Sequence, residues 1–186
     1  MSPLSRCAAV VAVLSGLLLA PAASAGVPEP EGYRLEDYRA PVPSALAGAT
    51  VLDTAGLLAL LAEEPVVLLD VMPAPRRPPG RGRDRPWLAP PRRHLPGSVW
   101  LPNVGLGEPP PSTSAWFAKR LAELTGGAKD RAIVVYCERD CWMSWNAAKR
   151  AVVEFGYRRV YWYPDGVQGW EEAGLPLVAA VPEEEP

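Results

Sequence analysis

Two short segments, Val66-Val67-Leu68-Leu69-Asp70 and Ala132-Ile133-Val134-Val135-Tyr136, are apolar at nearly every position instead of at every second one. A half-exposed strand alternates and an amphipathic helix repeats every three to four residues, so runs this short and continuous read as strands buried on both faces. Such strands need helices on two sides of one sheet. Leu57, Leu58, Leu60 and Leu61 supply one, with Asp53 or Thr54 as its cap. Trp116, Phe117, Leu121 and Leu124 supply another, with Ser112 or Ser114 as cap and Gly126-Gly127 as its end. A third helix is expected from about Met143 to Phe155, closed by Gly156, and a short last one over 167–173. Val160-Tyr161-Trp162-Tyr163 reads as a further strand, and Ser98-Val99-Trp100-Leu101 as a strand-like island. The alternation of strands and helices predicts an α/β domain, a mostly parallel sheet flanked by helices on both faces.

The 186 residues suffice for one such domain, and a formal charge of −2 offers no general attraction to nucleic acid or to an anionic membrane. With a single histidine, a zinc held by three imidazoles is excluded. Residues 1–25 have the form of a cleavable export signal: Arg6, an apolar run over 8–19, and Ala23-Ser24-Ala25 at the cut. The run is well short of the roughly 20 residues that span a bilayer, so cleavage after Ala25 is expected to leave a periplasmic or secreted protein without stable membrane insertion. Cys7 leaves with the signal, and Cys137 and Cys141 remain. Residues 26–50, proline-rich and polar with Tyr33, Leu35 and Tyr38, are expected as an extended N-terminal arm; residues 51–178 form the domain, and 179–186 an acidic tail. Between residues 73 and 111 lie 12 of the 23 prolines, with Arg76, Arg77, Arg81, Arg83, Arg85, Arg92 and Arg93, so a long Pro/Arg-rich loop is expected there.

Cys137 ends a buried strand, the place in an α/β sheet where the following helix points its amides into a crevice. A thiol of pKa about 8.5 needs about 2.7 kcal/mol of preference for its anion to fall by two units. A helix N-terminus supplies up to about 2 kcal/mol of that. Arg139 adds to it, while Glu138 and Asp140 oppose it. Glu138, Arg139, Asp140, Trp142, Met143 and Ser144 are the candidate substrate contacts around the catalytic candidates Cys137 and Cys141. If the segment is helical, cysteines four apart share a face. Three uses of the pair stay open: a structural disulfide, a redox or persulfide-resolving pair, and a soft-metal site of Cys137, Cys141, Met143 and His94, since C-x3-C with a remote histidine resembles copper-delivery proteins. Trp142 and Trp145 can stack on a flat ligand, whereas Trp100, Trp116, Trp162 and Trp170 sit in apolar elements and are expected in the core. No cofactor is implied: Gly105-x-Gly107 runs into Glu108 and three prolines, not into a phosphate-binding helix.

Leu68-Leu69-Asp70-Val71, His94-Leu95-Pro96-Gly97-Ser98, Val134-Val135-Tyr136-Cys137, Ala147-Ala148, Gly156-Tyr157 and Asp165-Gly166-Val167-Gln168-Gly169-Trp170 with Gly174-Leu175-Pro176 follow one another in an order that resembles a rhodanese domain. Asp37-Tyr38-Arg39-Ala40-Pro41-Val42-Pro43, Val99-Trp100-Leu101-Pro102-Asn103-Val104-Gly105 and Cys141-Trp142-Met143-Ser144-Trp145-Asn146 look more narrowly similar to PQQ-dependent catabolism-associated CXXCW motif proteins, although three residues separate these cysteines. The resemblance implies a rhodanese-like sheet in which a Cys137 thiolate accepts sulfur as a persulfide from a small sulfur donor, or exchanges with a thiol or disulfide partner, with Cys141 resolving it. It also implies a setting near PQQ-dependent alcohol oxidation, with a periplasmic PQQ-dependent dehydrogenase or cytochrome as protein partner. The non-enzymatic alternative is a module with a bridged pair that docks on such a partner. His94 matches a structural position of the pattern. Met72 stands where an arginine commonly follows the strand-ending Asp-Val, and Met143 where a phosphatase relative holds phosphate, which argues against phosphatase activity.

Overall fold

Strands that are apolar throughout demand two covers, and the computed structural model, which describes residues 27–75 and 90–185, provides both. The chain order is β1 (Ala49–Val51), α1 (Thr54–Glu63), β2 (Val67–Asp70), β3 (Arg93–His94), β4 (Val99–Trp100), α2 (Pro111–Thr125), β5 (Ile133–Tyr136), α3 (Trp142–Val153), β6 (Val160–Tyr163), α4 (Gly166–Glu172) and β7 (Val178–Ala179). Five strands form one sheet in the order β1-β6-β5-β2-β4, parallel at every pairing. Leu69, Ile133, Val135 and Trp162 pack on one side with Phe117 and Leu121 of α2 and the inner face of α3. Leu68, Val134, Tyr136 and Tyr163 pack on the other with Leu57 and Leu60 of α1 and Trp170 of α4. Every residue of β5 is fully buried, and each such aliphatic side chain gains about 1.5–3 kcal/mol from leaving water. The expected export signal and residues 76–89 of the Pro/Arg-rich loop lie outside the described residues. Among those described, no helix is long and apolar enough to cross a membrane.

The helix ends show which local signals prevailed. Asp53 caps α1, its Oδ1 accepting the Gly56 amide at 2.7 Å. Neither Ser112 nor Ser114 caps α2: the helix starts at Pro111 with Pro110 in the cap position and no side-chain hydrogen bond. A proline at the first helical position loses no hydrogen bond, and its fixed φ is already helical. Strand β1 carries no period long enough to read in sequence, yet it pairs with β6 from Ala49↔Val160 to Val51↔Trp162.

The arm is tied down by side chains of α3. Asn146 donates to the Arg34 carbonyl at 2.8 Å and accepts the Arg34 amide at 3.0 Å. Lys149 donates to the carbonyls of Pro30 and Glu31 at 2.9 and 2.6 Å. Buried Arg150 gathers the carbonyls of Val104, Leu106 and Gly107 at 2.9–3.1 Å, fixing the loop after β4 against the same helix. The acidic tail is also engaged: β7 pairs antiparallel with β3, Glu183 meets Arg120 at 2.6 Å, and Glu185 accepts from Asn103 and Thr113 at 2.6 Å.

Candidate functional site

Strand β5 is the middle strand of the sheet, and its carboxyl end delivers Cys137 into a five-residue loop that enters α3 at Cys141. The loop is not helical. Asp140 takes a left-handed conformation (φ 54°), which a short polar residue tolerates, and Cys141 is extended at the cap position of α3. The turn folds the two thiols back on each other, so the pairing arises from loop geometry and not from one helix face. Their Sγ atoms stand 2.7 Å apart, inside van der Waals contact and beyond the bonded distance of about 2.05 Å. The Cys137 carbonyl accepts the Val167 amide at 3.1 Å, and Glu138 bridges Gly166, where φ is 54° and a Cβ would meet the Cys137 oxygen at 2.5 Å.

The arm closes over this loop. Arg39 pairs with Cys141 as an antiparallel bridge, the Trp142 amide donates to the Tyr38 carbonyl at 2.9 Å, and the Ala40 amide to the Asp140 carbonyl at 3.2 Å. Cys137, expected at a crevice beyond the strand end, is walled off completely: its exposure is 0%. Cys141, though only 2% exposed, lines a cavity of about 340 Å³ together with Tyr38, Arg39, Met72, Leu106 and Met143. The two thiols therefore differ in access, and it is Cys141, which the resemblance implies as the resolving partner, that borders the cavity.

Their acidities diverge in the same sense. The Cys141 thiol is brought down to about 7, first by the hydrogen bond from Cys137, then, against the cost of burial, by the amides of Met143 and Ser144 at the start of α3 and the charge of Arg39. Burial pushes the Cys137 thiol well up, and the hydrogen bond and charge of Cys141, with Asp70 behind it, push it further. Arg92 opposes that rise. Asp70 is fully buried at the end of β2 and takes Arg92 in two directions, Nη2 to Oδ1 at 2.8 Å and Nε to Oδ2 at 3.1 Å. Arg92 also reaches Glu138 at 3.5 Å, and Glu138 pairs with Arg39. A chain of alternating charge thus runs from the core to the arm beside the thiols.

The other expected contacts separate. Met143 lines the cavity with Cys141, and Glu138 lines a neighbouring open cleft of about 450 Å³ with Arg92 and Met72. Arg139 is turned to α4, pairing with Glu172 at 2.6 Å and with Asp165 at 3.6 Å. Asp140 serves the turn. Trp142 is 2% exposed with its indole N–H donating to the Pro41 carbonyl at 3.1 Å, so it holds the arm and offers no open face to the cavity. Ser144 is buried, donating to the Cys141 carbonyl and accepting the Trp162 indole N–H, both at 3.0 Å. His94 does not join the cysteines; its Nδ1 lies 3.6 Å from Asp70 and has no hydrogen-bond partner among the described residues. Of the tryptophans expected in the core, Trp100, Trp162 and Trp170 are buried and Trp116 is partly buried. Sequence reasoning missed Tyr38, Arg39 and Met72 as cavity residues. Only Met72 carried a signal, because it lies two residues beyond Asp70, the end of β2, which neighbours Tyr136 in register.

An α/β domain with a thiol pair on the loop after its middle strand is what the fold and the site define. The rhodanese-like domain family matches residues 53–173, and the chain belongs to that family. No curated protein sequence matches it. Among solved structures it is similar to a thiosulfate sulfurtransferase from Pseudomonas aeruginosa (20% identity, TM-score 0.46), covering 73% of this chain and 21% of that one. It is also similar to a polysulfide-sulfur transferase homodimer from Wolinella succinogenes (22% identity, TM-score 0.44, 71% of this chain and 80% of that one). A 3-mercaptopyruvate sulfotransferase from Escherichia coli matches at 23% identity and TM-score 0.42, over 74% of this chain and 54% of that one.

Proposed function

We propose that the protein transfers sulfur, or exchanges disulfides, through its two thiols, with Cys141 meeting the substrate and Cys137 resolving the product. The observation that carries this is the pair itself: sulfurs 2.7 Å apart, of which Cys141 alone borders the cavity. A Cys141 thiolate attacks the outer sulfur of a donor RS–SH, forming Cys141–S–SH and releasing RS⁻. Cys137, losing its proton to solvent or to the leaving sulfide, then attacks Cys141 Sγ and expels HS⁻. The pair is left as a disulfide, which a dithiol reductant must reopen. With a disulfide substrate the same two attacks complete an exchange.

The donor class follows from charge. Arg39 faces Glu138, Arg139 faces Glu172 and Asp165, and Arg92 faces Asp70 and Glu138. A doubly charged donor such as thiosulfate finds each of these cations already opposed, whereas an organic persulfide or polysulfide suits a cavity walled by Met72, Pro73, Leu106 and Met143. The resemblance to the CXXCW proteins extends the proposal to an exported protein that acts near PQQ-dependent alcohol oxidation, with a PQQ-dependent dehydrogenase or its cytochrome as partner.

The test is intact-mass analysis of reduced protein exposed to an organic persulfide. Cys137→Ser is expected to accumulate a single added sulfur on Cys141, and Cys141→Ser to load at least tenfold more slowly. Loading of Cys141→Ser at the rate of the unsubstituted protein would overturn the assignment.

A further inference from the structure

Every sulfur-bearing residue among the described residues comes to one place. The chain has three methionines and three cysteines; Met1 and Cys7 lie outside the described residues, and the other four are Met72, Cys137, Cys141 and Met143. Cys137 Sγ is 2.7 Å from Cys141 Sγ and 3.4 Å from Met72 Sδ, and Met72, Cys141 and Met143 line the same cavity. Met72 and Met143 are 71 positions apart in sequence, so the convergence is a product of the fold.

We propose that the reduced pair binds the soft monovalent cation Cu(I), through the thiolates of Cys137 and Cys141 and the thioether of Met72. Thiolate and thioether donors select Cu(I), whereas carboxylate and imidazole favour harder or borderline ions. Among the described residues, the cavity wall contains neither carboxylate nor imidazole, and no three His, Cys, Asp or Glu side chains gather as a metal site. The histidine that sequence offered as a ligand faces Asp70 instead, so the donor set becomes all sulfur.

Met72 is held as a ligand needs to be. Its amide donates to Asp70 Oδ1 at 3.0 Å and its carbonyl accepts the Trp100 indole N–H at 2.6 Å, which pins the backbone from two elements while the side chain reaches the thiols. Metal–sulfur bonds of about 2.3 Å in a trigonal plane set the sulfurs about 4 Å apart. The Met72–Cys137 separation is close to that already, and Cys141 needs a side-chain rotation to open its distance to Cys137. Binding moves no electrons: Cu(I) displaces two thiol protons to solvent, leaving a complex of charge −1 with Arg39 on the cavity wall. This is a second use of the pair and does not depend on sulfur transfer.

The experiment is an anaerobic titration of the reduced protein, cleaved after Ala25, with Cu(I) against the chelator bicinchoninate, together with X-ray absorption of the one-to-one complex. We expect one Cu(I) per chain, retained against excess chelator, with three sulfur scatterers and no nitrogen or oxygen. Met72→Leu, nearly volume-conserving, should weaken binding at least tenfold with two titratable thiols intact. Loss of all copper to the chelator, a nitrogen or oxygen scatterer in the first shell, or undiminished affinity in a folded Met72→Leu protein would each overturn the proposal. If that variant does not fold, the scatterer count of the unsubstituted protein decides. Persulfide loading is read by mass on copper-free protein, so the failure of either proposal is seen separately.

Discussion

The acidity of Cys141 depends most on a neighbour that never meets solvent. Cys137 donates the hydrogen bond that does most to lower the Cys141 thiol to about 7. Replacing Cys137 with alanine deletes that donor, whereas serine keeps a hydroxyl in its place; both leave a single thiol to follow. With the donor, Cys141 is about half thiolate at pH 7. Without it, the thiol moves toward the ordinary value of about 8.5, where about 3% is ionised. That predicts about a fifteenfold slower alkylation at pH 7, equivalent to about 2 kcal/mol of lost anion stabilisation. The sign is fixed by the direction of the shift. Reactivity of Cys137→Ser should rise through pH 7 and level off near pH 8, while that of Cys137→Ala should keep rising for more than one further unit. Iodoacetamide rates followed by intact mass from about pH 5.5 to 10 give both inflections. Coincident inflections near 7 in the two variants would refute the role of the buried donor and leave the α3 amides and Arg39 as the source of the acidity.

Arg92→Met should strand the fully buried Asp70 carboxylate, at a cost of about 3–5 kcal/mol and a fall in Tm of about 6–20 °C; a loss below about 1 kcal/mol in a thermal melt would show that the pair is not structural. Glu138→Gln removes the carboxylate opposing Arg39 and Arg92. Loading from thiosulfate should accelerate several-fold at low salt and lose that gain at about 1 M salt, and an unchanged rate would contradict the charge-based account of donor choice.

How much of this was legible depends on where each interaction comes from. Strands β2 and β5 were plain because their burial is written in consecutive side chains, and the cap at Asp53 because a carboxylate three residues before an amide needs no tertiary help. Strand β1 was hidden, since three residues show no period and its partner lies over a hundred positions away. The arm reads in sequence as an extended segment draped over the domain, but its anchors do not: Asn146 and Lys149 hold it by its backbone carbonyls, which carry no sequence identity. The cysteines stand out in the sequence as the candidate site, yet their difference in access does not. One left-handed residue, Asp140, turns the loop, and the arm that closes over it at Cys141 lies a hundred residues upstream. Met72 was noted only as an unusual residue after a strand; its nearness to Cys137 follows from β2 lying in register beside β5.

The acidic tail has a consequence for solubility. Strand β4 is the last strand of the sheet, and its outer side would otherwise offer free amides and carbonyls to any passing strand. The tail occupies it: Pro182 bridges Trp100 and the Glu183 amide donates to the Trp100 carbonyl at 2.9 Å, while the carboxylates of Glu183 and Glu185 are anchored further along. A proline within this cover has no N–H to extend a ladder. Shortening the chain after Ala179 would uncover that border and leave the backbone groups of β4 open to a foreign strand.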